Sequence, residues 1–95
     1  MKITTKRYLD TDKIRETCID YNFYTRGDCE AYERMFDLAR EADADKPEDM
    51  YRVAKDIYDH SNLRLDEEYT ENQLVAGIMF NLYNECTYTL VEIED

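Results

Sequence analysis

Only two glycines and one proline occur in 95 residues, which leaves the chain few places to turn sharply or stop an element. Such a chain folds as a few sizeable elements joined by short connections. The length suits one domain with one core. Apolar spacing of three and four residues dominates, and four helices are predicted. The first runs from about Thr11 to Asn22, with Ile14, Cys18 and Tyr21 on one face and Thr11 or Asp12 as the cap. Gly27 breaks the chain, and the second helix starts behind Asp28, with Tyr32, Met35, Phe36 and Ala39 as its apolar stripe. Pro47 stands in the first turn of the third helix, where a missing N–H costs nothing, followed by Glu48 and Asp49 at the positive helix end. Met50, Val53, Ala54, Ile57 and Ser61 make its inner face. Thr70 and Gln73 form a capping-box pattern that opens the fourth helix. There Leu74, Val75, Ile78, Met79 and Leu82 share a face, while Phe80 points almost opposite. Gly77 inside this helix suggests close approach of another backbone. Thr87 to Ile93, β-branched and aromatic, reads as a strand whose partner is Met1 to Tyr8. Leu63-Arg64-Leu65 is a third short strand or an anchor for the connection. The expected fold class is α+β and mostly helical, four helices with a small sheet formed by the N- and C-terminal strands. Residues 1–95 form a single small acidic domain.

Charge narrows the function. Twelve Lys and Arg stand against 23 Asp and Glu, for a net charge of −11, so direct binding of nucleic acid is not expected. The longest apolar run, Leu74 to Phe80, is far too short to span a membrane, and residues 1–7 lack the apolar stretch of a signal peptide. Three separated cysteines, Cys18, Cys29 and Cys86, argue against a disulfide framework and for a reducing compartment. These features point to a soluble, cytoplasmic protein.

Catalytic patterns are sparse. His60, the one histidine, falls at the end of the third helix, where a cation interacts favourably with the helix dipole. Nothing in the sequence brings a particular cysteine to it for Cys–His chemistry, and one histidine with three scattered cysteines does not make a zinc pattern. Asp43-Ala44-Asp45 begins like a calcium loop, but Pro47 and Glu48 follow where a ligand and the turn glycine belong, and Ala54 falls where the bidentate Glu belongs. There is no phosphate-cradling glycine loop, no nucleophile elbow and no metalloprotease motif. The sequence therefore points to no enzyme, cofactor or metal.

The distribution of charge carries more. Residues 1–26 hold six cations and four anions, residues 27–64 six and eleven, and residues 65–95 none and eight. On the second helix Glu30, Glu33, Asp37 and Glu41 recur at spacings of 3, 4 and 4 residues, stacking like charges on the face away from the apolar stripe. Successive carboxylates advance about 5 to 6 Å, comparable in scale with a polyanion backbone. Arg34 and Arg40 flank the row and halve its charge. Asp66, Glu67, Glu68 and Glu71 add a second acidic group ahead of the fourth helix. These eight acids and Phe80 are the candidate partner-binding residues. The nine tyrosines also suit a protein interface.

Asp20-Tyr21-Asn22-Phe23-Tyr24-Thr25-Arg26-Gly27-Asp28-Cys29-Glu30-Ala31-Tyr32-Glu33, then Val53-Ala54-Lys55-Asp56-Ile57-Tyr58-Asp59-His60-Ser61 and Ile78-Met79-Phe80, is similar to small acidic proteins encoded on phages and conjugative elements of Gram-positive gut bacteria. The resemblance implies a mobile-element setting and carries no catalytic residues. In size and charge the chain is also similar to antirestriction and anti-CRISPR inhibitors that mimic nucleic acid. The leading expectation is a non-catalytic domain that binds and blocks a basic, nucleic-acid-handling protein. The alternative is a structural or regulatory adaptor, as a homodimer or on another partner, that uses a Tyr-rich apolar patch.

Overall fold

A computed structural model describes residues 1–20 and 29–95, side chains at 19, 20 and 29–31 excepted. The order is β1 (Lys2–Leu9), α1 (Thr11–Asp20), α2 (Cys29–Glu41), α3 (Pro47–Asp59), a 3-10 turn (Asn62–Leu65), α4 (Glu71–Glu85) and β2 (Thr87–Glu94). The fold is α+β: four helices and one antiparallel pair of terminal strands. Among the described residues no helix is long and apolar enough to cross a membrane.

The starts of α1, α3 and α4 each have an identifiable cause. Asp10, rather than Thr11 or Asp12, caps α1: its Oδ1 accepts from the backbone N–H groups of Asp12 (3.0 Å) and Lys13 (3.3 Å). One carboxylate thereby satisfies two of the orphan donors. Pro47 opens α3 as expected, and the turn ahead of it is held by side chains, with Asp49 Oδ2 accepting from Asp43 N–H at 2.8 Å and Asp43 Oδ1 from Asp45 N–H at 2.9 Å. The calcium-like acids are thus turn staples. Thr70 caps α4 with both halves of the capping box formed, at 3.2 and 2.9 Å. The expected stop at Gly27, the cap at Asp28 and the stretch from Tyr21 to Asn22 lie outside the described residues.

α3 is the spine, packing against α2, α4 and the 3-10 turn. Met50, Val53, Ala54, Ile57 and Ser61 are all buried, as the spacing predicts. They meet Met35 and Ala39 of α2, Val75, Ile78 and Leu82 of α4, and Ile14 and Cys18 of α1 in one core. Leu63-Arg64-Leu65 belongs to the 3-10 turn, not to a strand; Ser61 Oγ accepts from Leu63 N–H at 3.2 Å and donates to the Tyr58 carbonyl at 2.9 Å. Leu63 anchors the connection on the core, whereas Leu65 is exposed.

Gly77 departs from expectation. Among the described residues, nothing beyond the helix's own backbone and the neighbouring residues lies within 4 Å of the position a Cβ would occupy, so none of their backbone packs there. The glycine is an exposed flaw in the longest helix, and Gly77→Ala is expected to stabilise the protein by about 1 kcal/mol. In thermal unfolding that is a rise in Tm of about 4–8 °C for a domain of this size. A fall would mean that the glycine contacts something other than the described residues.

β1 and β2 form a two-stranded ribbon in the register Lys2↔Glu94 through Leu9↔Thr87. Its root is fixed by Leu9 in the core, Tyr8 stacked on Tyr88 with ring centroids 5.6 Å apart, and Arg7 donating to Thr87 Oγ1 at 3.2 Å above the Tyr83 ring. The outer half is exposed on both faces. The molecule measures 54 × 26 × 19 Å with a radius of gyration of 14.6 Å, against about 12 Å for a compact domain of this length. The ribbon projects from a helical body.

Candidate functional site

The acidic row on α2 exists because the opposite face is committed to the core. Met35 is fully buried and Ala39 nearly so, which turns Glu33, Asp37 and Glu41 to solvent. Glu30 shares the helix, and its side chain lies outside the described residues. The two flanking arginines do not act alike. Arg40 donates to Asp37 Oδ1 at 3.0 Å, an exposed pair worth at most about 1 kcal/mol. Arg34 turns the other way, donating from Nε to Asp56 Oδ1 of α3 at 3.2 Å and from its terminal nitrogen to His60 Nε2. The expectation that both arginines screen the row holds for Arg40 alone.

That Arg34 contact adds to the role of His60. His60 is the C-cap of α3, and its backbone N–H donates to the Asp56 carbonyl at 3.3 Å. A guanidinium can only donate, so Nε2 accepts from Arg34, and Nδ1–H donates to the Asp56 carbonyl at 2.9 Å. His60 thus stands at the C-terminal end of α3, as expected, and there it also connects α2 to α3. Among the described residues Asp56 Oδ2 is buried without a hydrogen-bond partner, and Arg34 is the chief compensation there for that carboxylate.

The second acidic group divides by task. Asp66 Oδ1 accepts from the backbone N–H groups of Glu68 (2.7 Å) and Tyr69 (3.2 Å), shaping the loop ahead of α4. Glu71 takes Lys55 Nζ of α3 at 2.5 Å, and Lys55 also holds Asp59 at 2.7 Å. The hydrogen bonds to Asp59 and then Glu71 hold the Lys55 ammonium well above its usual range. Glu67 and Glu68 stand exposed on the loop. Asp37, Asp66 and Glu71 thus already hold partners within the chain, while the carboxylates of Glu33, Glu41, Glu67 and Glu68 have no ion pair or hydrogen bond among the described residues. Since α3 packs on both α2 and α4, the row and the loop are carried by one packed set of helices.

Phe80 is 68% exposed on α4 and is not packed under the terminal strands. Exposed tyrosines are dispersed, with Tyr51 on α3, Tyr69 in the acidic loop and Tyr88 at the root of the ribbon, while Tyr58 is buried.

Cys18 and Cys86 are free, buried and neighbours: Cys86 Sγ and Thr17 Oγ1 share a hydrogen bond of 3.4 Å. Burial, reinforced by Cys86, pushes the Cys18 thiol up to about 12, and burial raises that of Cys86. Both are therefore held as unreactive thiols. His60 has its own partners at the α2–α3 contact. Among the described residues no three His, Cys, Asp or Glu side chains converge to hold a metal ion. The surface depressions are open. One of about 360 Å³ lies between the ribbon root and Arg40, lined by Tyr8, Asp10, Thr11 and Tyr88, and another of about 480 Å³ lies beside Tyr51, Arg52 and Met79.

A feature hidden in the sequence is the ribbon's exposed β-branched surface. Ile3, Val91 and Ile93 are each more than half exposed. Alternation of apolar and polar residues is weak here because neither face is buried, so the pattern that normally marks a strand's inner side is absent. The clue that was available is the register of charge, three cations in β1 against two anions in β2.

No protein-family model matches the chain, and neither the curated proteins nor the solved structures contain a match to it.

Proposed function

We propose that this protein is a non-catalytic binding domain that occupies the nucleic-acid groove of a basic partner, in the manner of the small acidic inhibitors carried by phages and conjugative elements. The observation that carries the reading is the α2 row: Glu33, Asp37 and Glu41 are fixed outward by the core behind them, and Arg34 is diverted to Asp56. Their four-residue repeat sets carboxylates about 6 Å apart along a rigid rod. Glu67 and Glu68 extend the acidic surface, and the chain carries no Lys or Arg after Arg64. Such a surface would speed encounter with a cationic groove and repel nucleic acid itself. The setting in which it would act is the cytoplasm.

The test is a pull-down from a Gram-positive bacterial lysate, treated with nuclease, eluted with a salt gradient and identified by mass spectrometry. A nucleic-acid enzyme released by moderate salt is the expected result. Glu33→Lys with Asp37→Lys should abolish its capture while leaving the fold intact, because among the described residues the only ion pair lost is the exposed one to Arg40. Unchanged capture by the double variant would remove the row from the site.

Phe80 supports a second reading, an adaptor that pairs through an apolar patch. Light scattering separates the two: a dimer that survives high salt and is lost in Phe80→Ala would replace the acidic reading.

A further inference from the structure

The free edge of β2 is a second place where this chain can hold a protein. Asp10 N–H donates to the Cys86 carbonyl at 2.8 Å, and these residues continue the register of the ribbon by one pair. Antiparallel pairs alternate between hydrogen-bonded and non-hydrogen-bonded types. Tyr8–Tyr88, Lys6–Leu90, Thr4–Glu92 and Lys2–Glu94 are then the bonded pairs. Thr89, Val91 and Ile93 consequently direct their N–H and C=O groups away from β1, along the outer edge of β2. Among the described residues no other strand joins the sheet.

The two edges are not equally guarded. β1 carries Lys2, Lys6 and Arg7, the kind of charge that blocks strand addition, whereas β2 has no Lys, Arg or Pro. Seven of its eight residues are exposed. A long, β-branched edge of this kind is a template for another strand.

We propose that this edge docks an extended segment of a different protein in which Lys or Arg alternates with β-branched residues. β1 shows the chemistry that β2 accepts, since Lys2 stands opposite Glu94, Ile3 opposite Ile93 and Thr5 opposite Val91. On the outer edge the same side chains are available: Glu92 and Glu94 on one face, Val91 and Ile93 on the other, and neither glutamate is in an ion pair among the described residues. A second copy fits poorly. Pairing β2 with its own copy brings two acidic strands together on a chain of net charge −11. Pairing β2 with the β1 of a copy leaves that copy's β2 open, a head-to-tail contact that never completes a simple dimer and runs on into a ring or a fibre. The inference takes from the reading above only the basic character of the partner; the residues differ.

The full chain is titrated with the synthetic peptide Lys-Val-Lys-Ile-Lys-Val-Lys and followed by amide hydrogen exchange. Slowed exchange is expected at Thr89, Val91 and Ile93, and not at Ile3, Thr5 or Arg7. Val91→Pro removes an outward N–H that β1 does not use, so the ribbon should persist while peptide affinity falls about tenfold or more. Glu92→Lys with Glu94→Lys should weaken binding by a similar factor without touching the backbone. The Glu33→Lys, Asp37→Lys variant should protect the same three amides, so this site and the acidic row can fail independently. The proposal is overturned by protection on the β1 edge, by full affinity in Val91→Pro, or by no saturable binding at millimolar peptide. Self-association of the free chain that Val91→Pro abolishes would assign the edge to a second copy and overturn it equally.

Discussion

Ile57→Ala is expected to remove about 2–5 kcal/mol of stability, a large share of the 5–15 kcal/mol that holds a small domain folded. Ile57 is 1% exposed on α3, the helix packed against α2, α4 and the 3-10 turn. Truncation there loses the transfer energy of the buried carbons and leaves a cavity that several elements would have to move to fill. Urea unfolding should show a lower midpoint with an unchanged slope, since the surface exposed on unfolding hardly alters. Phe80→Ala is the contrast: with 68% of the residue already in water, its effect on stability should be under about 1 kcal/mol. Similar losses at both positions would mean that α3 is not the spine.

The second large effect is alkaline. Cys18 is raised by burial from an ordinary 9.0 to about 12. Between those values the unfolded chain releases a proton that the native protein keeps, so the folded state binds more protons and stability falls as pH rises. This contribution is intact below pH 9 and lost progressively toward pH 12, at up to about 1.4 kcal/mol per pH unit. Cys86 shifts in the same direction and steepens the loss. Comparing urea midpoints at pH 8 and pH 10 should show a smaller decline in Cys18→Ala than in the parent, whatever the variant loses in packing. Parallel declines would show that Cys18 ionises as freely in the folded protein as in the unfolded one.

Local signals were legible in the sequence, and long-range pairings were not. Pro47, the Thr70–Gln73 box and the buried face of α3 follow from spacing and backbone chemistry within one turn or one helix. The pairing of the two end strands also followed, because β-branched runs at both ends had no other partner. Gly77 misled because glycine marks either a close approach or a tolerated flaw, and only the three-dimensional surroundings distinguish them. The acidic site was readable as a row but not as a set of open carboxylates. Arg34 reaches Asp56 across 22 positions and Lys55 reaches Glu71 across 16, and no periodicity within a helix encodes such crossings. The same applies to His60, whose hydrogen bonding is fixed by an arginine on another helix.

The ribbon also sets an order of events during synthesis. Leu9 pairs with Thr87, 78 positions later, and Lys2 pairs with Glu94. The helices are built from near neighbours and can form as they leave the ribosome, but β1 has no strand to meet until residues 87–94 have been translated. At about 5–20 residues per second the first strand therefore waits several seconds with Ile3 and its backbone amides uncovered, the interval in which a chaperone or another nascent chain can reach it.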